Sequence, residues 1–150
     1  MGLDMTLHKR TYVKNWDHQK KKEQHTITVK GPNAKAINIK NIAYIIEDVG
    51  TWRKANQIHR WFVENVQDGV DDCKDYYVSR EQLEELLDVV NQVLRAPNKA
   101  KELLPTQEGF FFGETEYGQD YYQDLTHTKG ILEEVLKEPP NSDYSYSSSW

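Results

Sequence analysis

The side chains best suited to ligand chemistry lie between Trp52 and Asp72, where aromatic and cationic residues are interleaved. On a helix, which turns about 100° per residue, one side collects a core-like stripe (Trp52, Ala55, His59, Phe62, Val63 and Val66). The opposite side collects cations, an amide and an indole (Arg53, Lys54, Gln57, Arg60 and Trp61). Because an exposed indole leaves a large apolar area in water, this second face is predicted to be a recognition surface.

Aromatic and basic side chains together are typical of nucleotide recognition. Nucleobases stack on aromatic rings and guanidinium planes, at about 1–3 kcal/mol per base, while Lys and Arg bind phosphodiesters. Asn56 could read the edge of a base. The predicted ligand-binding residues are Trp61, Arg53, Lys54, Arg60, Asn56, Gln57, Tyr144, Tyr146 and Trp150. The alternative, that such aromatic residues belong to the core or to an oligomer contact, stays open at this point.

No catalytic residue, metal site or cofactor is predicted. The cluster Asp71-Asp72-Cys73 and the scattered histidines lack the paired spacing of C-x-x-C or H-E-x-x-H sites. The sequence contains no G-x-S-x-G, G-x-G-x-x-G or Walker motif. His25-Thr26-Ile27-Thr28 only loosely resembles the two-histidine phosphodiesterases, which need Thr where Ile27 stands, and His127 offers no second copy.

Length and composition predict a single domain, 1–150, in a reducing cytoplasm. The chain is long enough to bury a core without disulfides, and the lone Cys73 indicates a reducing compartment. No apolar run approaches the length of a membrane span.

The net charge of −5 is unevenly distributed, because residues 1–40 carry nine Lys and Arg against three acids. Overall acidity argues against duplex nucleic acid as the ligand. A basic N-terminal third beside an acidic remainder could bind an anion, could pair head to tail between subunits as a dimer or tetramer, or could simply be two solvated faces.

The order of elements indicates an α+β domain. Leu3, Met5 and Leu7 alternate with polar residues and predict a strand within 2–13, and the closing DYSYSSSW predicts another. Short strands are also predicted at 25–30, 36–40, 76–78 and 109–113. We expect an antiparallel sheet that includes the N- and C-terminal strands, with about four helices packed on one face.

Helices are predicted at 41–49, from Trp52 to near Gly69, and from Ser79 to Pro97. A short helical turn is predicted at 98–104, and the segment EYGQDYYQDL opens a last helix that runs to about Lys137. Ser79 with Gln82 forms the S-x-x-Q capping box, which marks a helix start.

Four segments resemble a family of small proteins encoded by tailed phages and prophages. They are MGLDM-x-L at the start, WRKANxIHxWFVxNVQDGVDDC, LLPTQxGFFFGxTEY, and SSSW at the end. The resemblance covers nearly the whole chain, although Thr6 stands where the family usually has Tyr. This kind of phage protein also resembles the nucleotide sponges that defeat cyclic-oligonucleotide (CBASS) signalling. That resemblance implies a homo-oligomer that binds a cyclic dinucleotide without cleaving it.

Two other functions stay open from the sequence. The acidic segments Glu64 to Asp75 and Glu108 to Asp124 could engage a basic surface of a host protein. A phosphodiester hydrolase using His25 or His127 is the third hypothesis.

Overall fold

The computed structural model describes residues 2–150 and confirms the predicted α+β fold. Its elements are β1 (Asp4–Tyr12), β2 (Tyr44–Arg53), α1 (Asn56–Asn65), β3 (Tyr76–Val78), α2 (Arg80–Arg95), α3 (Ala100–Leu103), α4 (Gln119–Lys137) and β4 (Asp143–Ser149). The four strands form one antiparallel sheet in the order β2-β1-β4-β3. The N-terminal and C-terminal strands therefore lie side by side at its centre.

Strand β1 is central because its alternation gives the sheet two unlike faces. Met5 and Leu7 are buried beneath the helices, whereas Thr6 and His8 face the side that the helices leave uncovered. The strand pairs along its whole length with β2 and from Asp4 to Arg10 with β4.

The core joins α1 and α4 to the sheet through aromatic contacts. Phe62 of α1 stacks on Tyr146 of β4 with ring centroids 3.9 Å apart. Trp52 of β2 donates its indole N–H to Thr128 of α4 at 2.8 Å. The predicted Ser79 capping box is confirmed, since Ser79 Oγ accepts from the Gln82 N–H and the Gln82 side chain accepts from the Ser79 N–H.

The prediction that a helix begins at Trp52 is wrong. Trp52 pairs with Met5 across the sheet, so β2 continues to Arg53. Lys54 then takes a left-handed backbone conformation (φ 56°), which turns the chain before α1 begins at Asn56. The spacing between Trp52 and Phe62 suited a helix, but both side chains reach the core from different elements.

The predicted helix at 41–49 is also wrong, because Tyr44 to Val49 belong to β2. Tyr, Ile and Val favour strands, and β1 offers a complete antiparallel partner for this stretch. The strands predicted at 25–30, 36–40 and 109–113 are not present, whereas those at the two termini and at Tyr76–Val78 are confirmed.

Residues 14–43, which we name the basic arm, connect β1 to β2. The arm begins where the Val13 N–H donates to the Ala43 carbonyl at 2.9 Å. It holds three short 3-10 turns, at Lys21–Glu23, Ala34–Ala36 and Ile39–Asn41, and none of them contains a buried residue.

Candidate ligand-binding cleft

The nine predicted ligand-binding residues do not share one surface. Arg53, Lys54 and Gln57 line a cleft of about 600 Å³, which we name the Arg53 cleft. Arg60 and Trp150 line a separate cleft of about 630 Å³, which we name the aromatic cleft. The other four, Trp61, Asn56, Tyr144 and Tyr146, line neither cleft and are buried, and Gln57 is also buried although it borders the Arg53 cleft.

The prediction that Trp61 stands exposed on a recognition face is wrong. Only 6% of its surface is exposed, and its ring packs edge-on against Phe62 with centroids 5.4 Å apart. The reason is tertiary packing, which a single-helix pattern does not reveal: Trp61 belongs to the buried core cluster, together with Leu104 and Tyr121 from other parts of the chain. Residues 104–118 cross over α1, and the Arg60 guanidinium donates to the Thr106 carbonyl within that segment.

Asn56 is a structural residue and does not present its amide to a base. Its Nδ2 donates to the carbonyls of Phe112 (2.9 Å) and Glu114 (2.8 Å), and its Oδ1 accepts from the Gln107 N–H (2.9 Å). These bonds engage both donors and the acceptor of a side chain that is 1% exposed. Asn56 therefore fixes the segment that carries the aromatic cleft.

Tyr144 and Tyr146 point from β4 into the core, so neither ring can stack on a ligand. Tyr146 OH lies 2.7 Å from His59 Nδ1, and burial raises the pKa of this phenol well above its ordinary value. They were predicted as ligand contacts because aromatic rings can stack on bases, and alternation along a C-terminal strand does not distinguish the covered face from the open one.

The Arg53 cleft brings three predicted residues together, but carboxylates outnumber its cations. Arg53 and Lys54 share it with four acidic residues (Glu114, Glu116, Asp120 and Asp124). Gln57 donates to the Tyr121 carbonyl at 3.2 Å and to Asp124 at 3.4 Å. Burial raises the pKa of Asp124, and the bond from Gln57 partly opposes that shift.

The aromatic cleft is better suited to a planar ligand than the Arg53 cleft is. Its lining is His59, Arg60, Val63, Glu64, Gly69, Asp71, Gln107, Glu108, Gly109, Phe110, Phe111, Phe112 and Trp150. Phe110 is 94% exposed and Trp150 is 48% exposed. Rings this accessible at the mouth of a cleft offer stacking surfaces, and of these two rings only Trp150 was predicted as a ligand contact.

The cleft wall depends on a glycine and on Asn56. A Cβ on Gly109 would lie 2.6 Å from the Phe112 ring, so any larger residue would displace that ring. Phe112 packs edge-on against His59 and Trp150, with centroids 5.4 and 5.9 Å away. The two glycines that bracket Phe110 to Phe112 were the available sequence signal, and they mark a turn rather than the predicted strand.

A chain of hydrogen bonds runs from the core to the mouth of this cleft. His59 Nε2 donates to Asp71 Oδ2 at 2.9 Å, which leaves Nδ1 to accept from the Tyr146 hydroxyl. Trp150 donates its indole N–H to Asp71 Oδ1 at 3.1 Å. Asp71 thus fixes both a buried histidine and the half-exposed indole, a role that its position in a polar loop did not reveal.

The charge of the aromatic cleft is negative. Its cation is Arg60, which donates through Nε to Glu64 at 2.8 Å and through a terminal N–H to the Thr106 carbonyl at 2.9 Å. Glu64, Asp71 and Glu108 supply three carboxylates. A ligand with an exposed phosphate therefore needs positive charge from outside this lining.

Besides the two clefts, a cluster of three polar side chains lies on the face of the sheet that the helices leave uncovered. His8 Nδ1 lies 2.8 Å from Asp48 Oδ1, and His8 Nε2 lies 3.0 Å from Ser147 Oγ. The connectivity matches that of an acyl-transfer triad. However, the Asp48 side chain is 63% exposed, and Ser147 sits within a flat strand opposite Thr6 rather than on a sharp turn. We interpret the group as a cross-strand polar ladder.

Within residues 2–150, no group of three or more His, Cys, Asp or Glu side chains could hold a metal ion. No helix in this part of the chain is both long and apolar enough to cross a bilayer. Comparisons with models of protein families, with curated proteins and with solved structures find no match to this chain.

Proposed function

We propose that the protein binds a cyclic dinucleotide and sequesters it without cleaving it, and that the aromatic cleft receives a base. The observation that carries the proposal is the pair of accessible rings, Phe110 and Trp150, at the mouth of a cleft of about 630 Å³. That volume falls in the range of small-molecule sites, roughly 300–1,000 Å³. The role in phage immune evasion follows from the resemblance of the sequence to phage-encoded proteins.

The energetics set what such a protein must achieve. Sequestration lowers free ligand by mass action, so it needs sub-micromolar affinity, about −8 kcal/mol or better. Stacking contributes about 1–3 kcal/mol per base, and the rest must come from the phosphodiesters and from desolvation. Because the cleft of one chain is acidic and Arg60 is already bonded to Glu64 and to the Thr106 carbonyl, the phosphodiesters need positive charge from outside this lining.

The proposal includes a homo-oligomer. A cyclic dinucleotide carries two bases, and a two-fold axis relates two identical clefts. Each copy can then receive one base, which doubles the stacking contribution without a second cleft in the same chain.

The first test is thermal unfolding against a panel of cyclic di- and trinucleotides and ADP-ribose derivatives. An upward shift with one ligand, recovered intact by heating and chromatography, supports sequestration. Phe110→Ala should weaken binding about 5- to 150-fold. Tyr77→Ala is the matched control, because Tyr77 is 66% exposed but lies outside the aromatic cleft. Equal affinity of Phe110→Ala and the wild type would remove the cleft from the proposal.

Release of intact ligand also separates binding from hydrolysis. His127 Nε2 lies 2.8 Å from the Thr51 carbonyl, and His25 belongs to the basic arm, so neither histidine lines the aromatic cleft. Products that vanish in His127→Ala, His25→Ala or Ser147→Ala would establish an enzyme instead.

The acidic lining favours a second candidate, the capture of a basic segment of a host protein. Aromatic rings with carboxylates beside them bind cationic side chains through cation–π and ionic attraction. Glu108→Gln distinguishes the two functions because Glu108 is an exposed carboxylate of the cleft. The substitution should strengthen the binding of a nucleotide and weaken the binding of an Arg- or Lys-rich peptide.

A further inference from the structure

We propose that the basic arm, together with the outer half of β2 (Tyr44 to Ile46), forms the interface with a second copy of this chain. The inference goes beyond the proposed function, because this contact lies at the other end of β1 from the aromatic cleft. Asp4 pairs with Ser149 next to Trp150, whereas Tyr12 pairs with Tyr44 where the arm begins. It is therefore a contact separate from any that joins two clefts around one ligand. Its evidence lies away from the aromatic cleft, in three features of the β1–β2 hairpin.

The first feature is exposed apolar surface concentrated in one hairpin. Eleven large hydrophobic side chains of the described chain are exposed, and seven of them lie between residues 12 and 46: Tyr12, Trp16, Ile37, Ile39, Tyr44, Ile45 and Ile46. Ile46 is 63% exposed. Single exposed apolar residues are ordinary, but such a concentration marks a contact surface.

The second feature is an open sheet edge beside that surface. β2 is an edge strand of the sheet. Helix α4 covers the C-terminal half of β2, where Ile131 packs against Gly50 and His127 bonds to the Thr51 carbonyl. The outer half, Tyr44 to Ile46, lies on the same edge with its side chains exposed. An apolar edge strand of this kind is a template for pairing with another chain.

The third feature is charge, and it indicates which partner fits. The basic arm holds seven Lys against Asp17 and Glu23, a net charge of +5. Because the whole chain carries −5, the rest of it carries −10. A second copy therefore offers both an identical apolar hairpin and an acidic body for the lysines, and in a two-fold dimer each copy gives and receives the same contacts. A polyphosphate partner would be repelled by the acidic body.

The test is the mass of the ligand-free protein by light scattering and by sedimentation, so the absence of nucleotide binding would not affect it. At about 100 µM a dimer with a Kd near 1 µM would be almost fully assembled. We expect a dimer whose Kd rises with salt, because charge contributes to the contact. A monomeric wild type at this concentration overturns the proposal.

Two variants locate the interface. In one, an Asn-Gly turn replaces residues 14–42; Val13 and Ala43 already pair, so a two-residue turn can close the hairpin there. In the other, Ile37→Asp is combined with Ile39→Asp. Both should raise the dimer Kd at least tenfold, and circular dichroism should report unchanged folding. Val70→Asp is the control, since Val70 is an exposed apolar residue of the loop after α1 and belongs to neither the arm nor β2.

A dimer that persists in both arm variants would overturn the assignment. So would a monomeric wild type that binds single-stranded RNA through the arm, measured by fluorescence anisotropy and lost in the shortened variant. Dimer formation without any nucleotide hit would leave this inference standing and the proposed function unsupported.

Discussion

Trp150 donates its indole N–H to the carboxylate of Asp71 across 3.1 Å. A side chain just after β4 and one in the loop after α1 are thereby held together at the mouth of the aromatic cleft. Asp71 also accepts from His59 at 2.9 Å. The orientation of the exposed ring is therefore set by a hydrogen-bond chain that begins in the core.

The ring of Trp150 should contribute to ligand binding more than to stability. Trp150→Ala removes a half-exposed stacking surface and is expected to weaken nucleotide binding about 5- to 150-fold while changing the melting temperature little. Trp150→Phe keeps an aromatic face but loses the bond to Asp71, so its affinity for the nucleotide should lie between those of the wild type and of Trp150→Ala. Titration calorimetry measures the affinities; an Ala variant that binds like the wild type would contradict the role of this ring.

Two tyrosines on the same face of β4 should respond oppositely to loss of their hydroxyls. Tyr146→Phe leaves His59 Nδ1 without a donor in the core, and we expect a loss of about 1–3 kcal/mol in the free energy of unfolding. Tyr144 OH is buried and has no hydrogen-bond partner among residues 2–150. Tyr144→Phe is therefore expected to be neutral or slightly stabilising.

Urea denaturation of the two variants provides the comparison. Because each substitution removes one oxygen and keeps the ring, packing changes little between them. Equal losses at both positions would mean that the bond to His59 does not carry the difference.

Local patterns were sufficient for the elements whose partners are adjacent in sequence or repeat regularly. Alternation of Met5 and Leu7 identified β1, and the capping box at Ser79 identified the start of α2. They were insufficient for β2, because Ile45 and Ile46 suit a buried helix as well as a strand. Pairing with β1, a contact across the basic arm, decides between the two.

Asn56→Ala is expected to loosen the segment that carries the aromatic cleft. The substitution removes bonds to Gln107, Phe112 and Glu114, and it leaves the buried Phe112 carbonyl and two partly buried backbone groups without this partner. A cost of about 2–4 kcal/mol in unfolding free energy is expected. Nucleotide affinity should fall as well, although Asn56 touches no ligand in the proposed site.

The matched control for this prediction is Asn65→Ala, because Asn65 also donates to a backbone carbonyl but lies exposed at the end of α1. The unfolding free energy of Asn65→Ala should differ from that of the wild type by no more than about 0.5 kcal/mol. Hydrogen exchange can localise the effect: amides of residues 107–114 should lose protection in Asn56→Ala and keep it in the control.

The site was less predictable than the fold, because its residues meet only in three dimensions. Arg60 and Trp150 were predicted and do line the aromatic cleft. Phe110 was assigned to a strand, and Asp71 was considered only as part of a cluster without metal-site spacing, since neither residue carries a local signal of the partner it meets. Trp61 was misplaced because a helix viewed alone cannot show that side chains from other elements bury it in the core.

Alkaline pH should destabilise the protein through its buried phenols. Burial raises the pKa of Tyr121 and of Tyr146, and the bond from Lys9 to Glu138 raises the pKa of Lys9. Each group then binds its proton more tightly in the folded state than in the unfolded state. The stabilisation is fully present below the unfolded pKa, about 10 for Tyr, and is lost as pH rises through the folded values.

Urea unfolding at several pH values between about 8 and 11 measures the slope of the unfolding free energy against pH. Near-ultraviolet absorbance follows tyrosinate formation. Tyr121→Phe removes one contributing group and should flatten the slope, although it also loses the bond from Tyr121 OH to the Leu104 carbonyl (2.7 Å). That loss lowers stability equally at all pH values below 9 or so, so the slope separates it from ionisation. Tyr77→Phe, at an exposed position, should leave the slope unchanged; a Tyr121→Phe slope as steep as that of the wild type would contradict the assignment.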